Sequence, residues 1–334
     1  MAKRDIIVIG ASAGGVYALK ELVAGLPADL EASIFIVQHV SPHSPSLLPK
    51  ILAHVCKLPV SHPVDGELVQ SGHIYVAPPD HHLLIEYDQV IVKKGPKENR
   101  FRPSIDALFR SAAYRYGPRV IGVVLTGLLD DGTSGLWTVK RLGGLGVIQS
   151  PDDAMYASMP QSVLEYVDVD HIAPVSELAE LLVELTKQTA PEVPSLEEQE
   201  TSRLEAEINI AAQDNAFQMG ILNMGPLTPL TCPECNGSLV SIQEGKIIRY
   251  RCHTGHAFTA SSLLAEVSKT VEDDLWRSVK SLEETVILLE QSGKVLVEGK
   301  NSEAAQDYFT KAQETRKRTD FLRNFIFEQQ KFNS

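Results

Sequence analysis

The chain has 334 residues, 43% of them hydrophobic and 22% charged, which suggests about two domains and excludes wholly disordered and fibrous classes. Its net charge of −12 disfavours nucleic acid and anionic lipid as partners, and acidic residues outnumber basic ones on both sides of Pro191. The apolar run Ile6-Ile7-Val8-Ile9 is too short for a signal peptide, and no later stretch reaches the roughly 18 apolar residues of a membrane span, so a cytoplasmic protein without membrane insertion is expected.

In chain order, residues 5–10, 33–40, 73–78, 119–127 and 146–150 read as strands. Helical spacing falls at 16–26, 46–55, 104–116, 134–142 and 175–187. Strands apolar on both faces that alternate with helices predict a three-layer, doubly wound α/β fold with a mostly parallel sheet. Residues 82–87 and 89–94 flank Asp88 as an inserted hairpin. The Pro- and Glu-bearing stretch 189–203 reads as a linker. The expected organisation is an α/β domain over 1–188, a linker with a short helix over 189–226, a cysteine-bearing module over 227–260 and an α-helical hairpin over 261–334. In that tail Leu275, Val279, Leu282, Val286 and Leu289 repeat at heptad spacing, and a second helix presents Tyr308, Ala312, Phe321 and Ile326. Such a stripe is read first as core and second as a partner-binding coiled coil.

Gly10-Ala11-Ser12-Ala13-Gly14-Gly15 joins the first strand to the first helix. A dinucleotide fingerprint would need glycine where Ser12 stands. The alternative, G-x-S-x-G, lifts a serine hydroxyl from a tight strand-to-helix turn. His39 closes the second strand, and Asp130-Asp131-Gly132 follow the long strand ending in Leu125-Thr126-Gly127. In a doubly wound sheet the carboxyl ends of parallel strands share one rim, so a serine, a histidine and an aspartate converge there. That points to a Ser-His-Asp hydrolase, although the order Ser, His, Asp is not that of α/β-hydrolases.

The sequence resembles the catalytic domain of chemotaxis protein-glutamate methylesterases, the CheB family, across roughly residues 5–185. The blocks that carry it are Ile9-Gly10-Ala11-Ser12-Ala13-Gly14-Gly15, Gln38-His39, Tyr75-Val76-Ala77-Pro78, Arg102-Pro103-Ser104-Ile105-Asp106, Leu125-Thr126-Gly127 with Asp131-Gly132, and Met159-Pro160. The resemblance implies that Ser12 is the nucleophile, His39 the general base and Asp131 the carboxylate supporting the imidazole, with an oxyanion hole at the backbone amide of Leu128. It also implies a glutamate methyl ester on a chemoreceptor's cytoplasmic domain as substrate and, in many members, deamidation of particular glutamines, with no cofactor needed for catalysis. Family members commonly carry glycine where this chain has Leu129, which puts the backbone of that turn in question. Asp130 is the rival acid, read as a solvated carboxylate or turn cap. Well-known members place a receiver domain ahead of the catalytic one, whereas this chain starts a few residues before its first strand. A separate receiver protein or the receptor methyltransferase is therefore an expected partner class.

Cys56 stands alone, while Cys232, Cys235 and Cys252 group with His253 and His256. The pattern C-x2-C-x16-C-x3-H predicts a structural Zn2+ held by Cys232, Cys235, Cys252 and His256, because neighbouring Cys252 and His253 do not readily bend onto one ion. The net acidity argues against a nucleic-acid-binding ribbon. Two other readings are a signalling adaptor that retains the fold without turnover and a general small-ester hydrolase with a deep apolar pocket.

Overall fold

The structure is a computed structural model that describes residues 2–43, 45–213 and 216–332. In chain order its elements are β1 (Ile6–Ala11), α1 (Gly15–Ala24), β2 (Ser33–Gln38), α2 (Leu48–Ala53), β3 (Val60–Ser61), β4 (Glu67–Leu68), β5 (Ile74–Val76), β6 (His82–Glu86) and β7 (Gln89–Lys93). There follow α3 (Ile105–Tyr116), β8 (Val120–Val124), α4 (Thr133–Arg141), β9 (Leu145–Gln149), α5 (Ser158–Tyr166), β10 (His171–Ala173) and α6 (Val175–Thr186). The remainder comprises α7 (Glu198–Gln213), β11 (Leu227–Thr231), β12 (Ser238–Glu244), β13 (Ile247–Cys252), β14 (Ala257–Thr259), α8 (Ala260–Glu298) and α9 (Ser302–Phe332).

Seven strands form a sheet in the order β10-β9-β8-β1-β2-β5-β3, and all six pairings are parallel. Every residue of β1 is buried, as a strand covered on both faces requires. Its side chains alternate between two cores. Ile7 and Ile9 pack with Leu19, Leu22, Ile34 and Leu182, while Ile6 and Val8 pack with Phe35, Ile105, Phe109 and Leu136. The chain builds outward from β1 through β2 on one side and crosses to β8 on the other, so the topological switch lies between β1 and β8. Their carboxyl ends open the crevice where such folds bind ligands.

Residues 1–263 form one compact unit and residues 264–334 another. Within the first, the stretch 189–226 expected as a linker with a short helix, of which residues 214 and 215 lie outside the described residues, carries the 16-residue α7. It begins at Glu198 and buries Leu204, Ile210 and Ala211. Its Glu207 meets Arg110 of α3 and Arg249 and Arg251 of β13. These partners are distant in sequence, which is why local composition misreads the segment. Glu98, Glu207, Glu244, Arg110, Arg249 and Arg251 are each no more than 1% exposed, three acids against three guanidiniums, so the buried charges balance. The antiparallel sheet β11-β12-β13-β14 lies on the other side of this cluster.

In the second unit α8 and α9 run antiparallel, with Glu290 paired to Arg316, Glu283 to Arg323, and Trp276 edge-on to Phe327. Val279 and Val286 are buried on α8, as are Ala305, Ala312, Thr315, Thr319 and Ile326 on α9. Phe321 is instead 70% exposed. The seam repeats at heptad spacing through Ala305, Ala312, Thr319 and Ile326, a frame that leaves Phe321 outside.

Candidate active site

Ser12 leaves β1 on a turn that only small residues permit. Gly14 has φ +76°, a left-handed conformation costly for other residues. On the facing loop, a Cβ on Gly127 would come within 2.9 Å of Ser12 Cβ and 2.0 Å of Met159 Sδ, so the β8 loop can approach the serine only as glycine. Ser12 N donates to Thr126 O at 3.0 Å, and Gln38 Nε2 donates to the carbonyls of Ser12 (2.8 Å) and His39 (3.0 Å), fixing the two loops against each other.

His39 Nδ1 lies 3.1 Å from Ser12 Oγ, and His39 Nε2 lies 2.8 Å from Asp131 Oδ2. The imidazole stacks on Phe101 with ring centroids 3.7 Å apart, which holds its plane. Asp131 meets the start of α3. It accepts hydrogen bonds from the amides of Ile105 (2.7 Å) and Asp106 (3.2 Å), from Ser104 Oγ (3.0 Å) and from Asn99 Nδ2 (2.9 Å). Burial alone would raise its pKa, but the bonds and charge of His39, with the donors Asn99 and Ile105, bring it below the usual carboxylate range. Asp106 accepts from Asn99 and from the amides of Gly132 and Gly135. Burial first, and then the neighbouring Asp131 charge, push its pKa well up. Two adjacent buried carboxyls are thus driven apart, and the one facing His39 is the anion.

The turn 127–132 joins Ser12 to Asp131. Leu129 adopts φ +63°, so the leucine holds the left-handed backbone that glycine would hold more cheaply, by about 1–2 kcal/mol. Leu128 is 51% exposed, and its amide donates no hydrogen bond within the described residues. Whereas His39 Nε2 pairs with Asp131, Asp130 accepts from Thr259 Oγ1 at 2.8 Å. Burial raises its pKa to about 6 against that hydrogen bond, with the Asp131 charge adding. Expected as a solvated carboxylate, it is 8% exposed because β14 covers it. A cleft of about 430 Å³ opens beside Leu129 and Asp130, walled by Ser158 and Gln161 of α5 and by Lys246 and Ile248.

Cys232, Cys235, Cys252 and His256 also come together, their ligand atoms within 4.8 Å of one another. Two turns build the cluster: Asn236 N donates to Cys232 O, and Gly255 N to Cys252 O. His253 lies outside it. A Cβ on Gly237 would fall 2.3 Å from the His253 ring. The sequence reading missed Gln38, Asn99, Phe101, Ser104 and Asp106 as site-building residues, although Gln38, Ser104 and Asp106 stood inside matched blocks and could have been singled out there.

A serine, an imidazole and a buried carboxylate in hydrogen-bonded series, at the switch point of a parallel sheet, have the chemistry of a serine hydrolase. The CheB methylesterase profile matches residues 7–182, and the chain belongs to that family. A protein of Leptospira interrogans, provisionally named protein-glutamate methylesterase/protein-glutamine glutaminase, is 41% identical over 182 residues, covering 54% of this chain and 94% of that one. A protein of the same name, numbered 2, from Methanosarcina mazei is 34% identical over 192 residues, and the match spans 55% of this chain but only 52% of that protein. The crystal structure of the Thermotoga maritima CheB methylesterase catalytic domain matches with a TM-score of 0.52 at 35% identity, covering 55% of this chain and 99% of that domain.

Proposed function

We propose that the protein is a cytoplasmic serine esterase that hydrolyses glutamate methyl esters on the cytoplasmic domain of chemoreceptors, and glutamine side-chain amides in the same site. The observation that carries this reading is the continuous series Ser12 Oγ, His39 Nδ1, His39 Nε2, Asp131 Oδ2 at 3.1 and 2.8 Å. Neutral His39 takes the Ser12 proton at Nδ1 as the oxygen attacks the ester carbonyl. The undonated Leu128 amide supplies an oxyanion contact, worth about 3 kcal/mol in comparable sites. His39 then protonates the departing methoxide, and methanol leaves a glutamyl ester on Ser12. Water activated by Nδ1 cleaves that ester and restores the carboxylate. With an amide substrate the leaving group is ammonia. Asp131 keeps the Nε2 proton in place, so that Nδ1 is free to accept.

The test uses the full chain with a folded chemoreceptor cytoplasmic fragment carrying methyl-esterified glutamates. The expected result is methanol release together with an acid-trapped glutamyl adduct on Ser12 by mass spectrometry. If several folded receptors yield neither methanol nor adduct, the esterase reading falls and the adaptor takes its place.

The cysteine cluster is read as a structural zinc-ribbon site. A tetrahedron with metal–sulfur distances of about 2.3 Å has edges of about 3.8 Å. The Cys235–Cys252, Cys252–His256 and Cys232–His256 separations of 3.6, 3.6 and 3.7 Å fit it. Zn2+ there would tie the two turns together and supply no catalytic step. Elemental analysis of the purified chain should find about one zinc per protein, and Cys235→Ser should remove it. A metal-free native chain with all three thiols freely reactive would refute the assignment.

A further inference from the structure

Asn99 sits where the catalytic loops meet the cysteine-bearing sheet, and each of its polar atoms is committed. Nδ2 donates to Asp131 Oδ1 at 2.9 Å and to Asp106 Oδ2 at 2.7 Å. Oδ1 accepts from Thr259 N at 3.0 Å, with Ser262 Oγ at 3.3 Å as a second donor. The backbone is pinned to the same segment, because Asn99 N donates to Ala257 O at 2.8 Å and Ala257 N donates to Lys97 O at 3.1 Å. An amide offers two N–H donors on one side and an acceptor on the other. Turned over, it would aim its oxygen at two buried carboxyls and its NH2 at a backbone N–H, so the contacts with 259 and 262 enforce the orientation that the triad needs. Asn99 also holds φ +51°, a conformation that asparagine tolerates better than most residues.

We propose that Asn99 is a positioning residue for the triad carboxylate, and that Thr259, at the end of β14, and Ser262, in the first turn of α8, set its orientation, so that the end of the cysteine-bearing sheet and the helix turn that follows it complete the active site. The proposal deepens the esterase reading and rests on it. By donating to Asp131 and Asp106 together, Asn99 lets one carboxylate stay ionised beside the other and points its second oxygen at His39. Thr259 binds Asp130 with the same side chain whose backbone orients Asn99. Both acids of the Asp-Asp-Gly turn are therefore linked to one short segment, directly through Asp130 and through Asn99 at Asp131.

The test labels Ser12 in the full chain with a fluorophosphonate, which needs no receptor, as a function of pH, and measures kcat and KM on methylated receptor. Asn99→Gly keeps the left-handed backbone and deletes the amide; Ser262→Ala deletes one donor to it. Lys97→Ala, which breaks the surface pair of Lys97 with Glu234 of the Cys232–Cys235 turn, is the control. Outer donors to an active centre commonly matter about 10–100-fold. Asn99→Gly is expected to lower kcat in that range with KM within about twofold, and Ser262→Ala to lower it by a smaller factor. In both variants the acid limb of the labelling profile should move, because Asp131 Oδ1 loses the Asn99 donor, or the contact that orients it, and the carboxylate no longer meets His39 in the same position. Loss of amplitude with an unmoved acid limb would reduce Asn99 and Ser262 to structural roles and overturn the proposal. So would an equal shift in Lys97→Ala. A native chain that the reagent does not label at Ser12 would overturn the esterase reading along with this one.

Discussion

Asp131→Asn should lower turnover by about 10⁴ and Ser12→Ala by about 10⁵ or more, and the two losses should differ in kind. Ser12 Oγ is needed for the covalent route, and alanine at that position leaves every backbone hydrogen bond of the turn intact, so the melting temperature should hold. Asparagine at 131 acts through the tautomer. Its NH2 would donate to His39 Nε2 and drive the ring proton to Nδ1, the atom 3.1 Å from Ser12 Oγ that must accept a proton. The same NH2 would confront the Ile105 amide, which donates to Asp131 Oδ2 at 2.7 Å, for a stability cost of about 1–3 kcal/mol. Single-turnover hydrolysis with differential scanning fluorimetry separates the cases. An Asp131→Asn enzyme that retains more than a tenth of native turnover would remove Asp131 from the relay.

Arg249→Met should unfold the first unit more readily than any exposed substitution, by about 3–5 kcal/mol, or roughly 10 °C in melting temperature. Arg249 Nη1 bonds Glu207 at 2.8 Å and Glu244 at 2.9 Å. Deleting it leaves Glu207 with Arg110 and Arg251 and Glu244 with Ser134 and Arg203, so the buried acids are one positive charge short. The same cluster predicts acid lability. Burial would raise the Glu98 pKa, but Arg110, Arg251 and Arg249 pull it down to about 2 from 4.5. A carboxylate whose folded pKa is depressed contributes stability above its unfolded pKa and loses it as pH falls. The Glu98 contribution should therefore be complete above about pH 4.5 and vanish toward pH 2. Asp130, raised to about 6 from 3.8, runs the other way: its folded state holds the extra proton, so its contribution is greatest below pH 3.8 and fades through pH 6. Denaturant titrations of the native chain and of Glu98→Gln should show the loss below pH 4.5 blunted in the variant. Identical pH dependence would refute the assignment to Glu98.

Residue order alone determined much of this protein. Strands such as Ile6–Ala11 and Val120–Val124 are apolar on both faces, which a parallel sheet between helices demands, and the position of Ser12, His39 and Asp131 just beyond β1, β2 and β8 follows from that sheet's single carboxyl rim. The spacing of Cys232, Cys235, Cys252 and His256 likewise anticipated a cluster, because two local turns suffice to build each half. Leu129 shows the limit of such reading. Its identity raised doubt about the turn, and only the fold showed it bearing the left-handed backbone in place. Tertiary structure also decided where the helix begins: the acidic end of the stretch 189–203 that reads as a linker is helical from Glu198, in an element whose Glu207 is surrounded by Arg110, Arg249 and Arg251. It decided the contacts of Asn99, whose partners at 257–262 lie far along the chain. Periodicity encodes which face of an element is buried; it does not encode which distant polar group arrives to meet a buried charge or amide, and the support of this triad is made of such meetings.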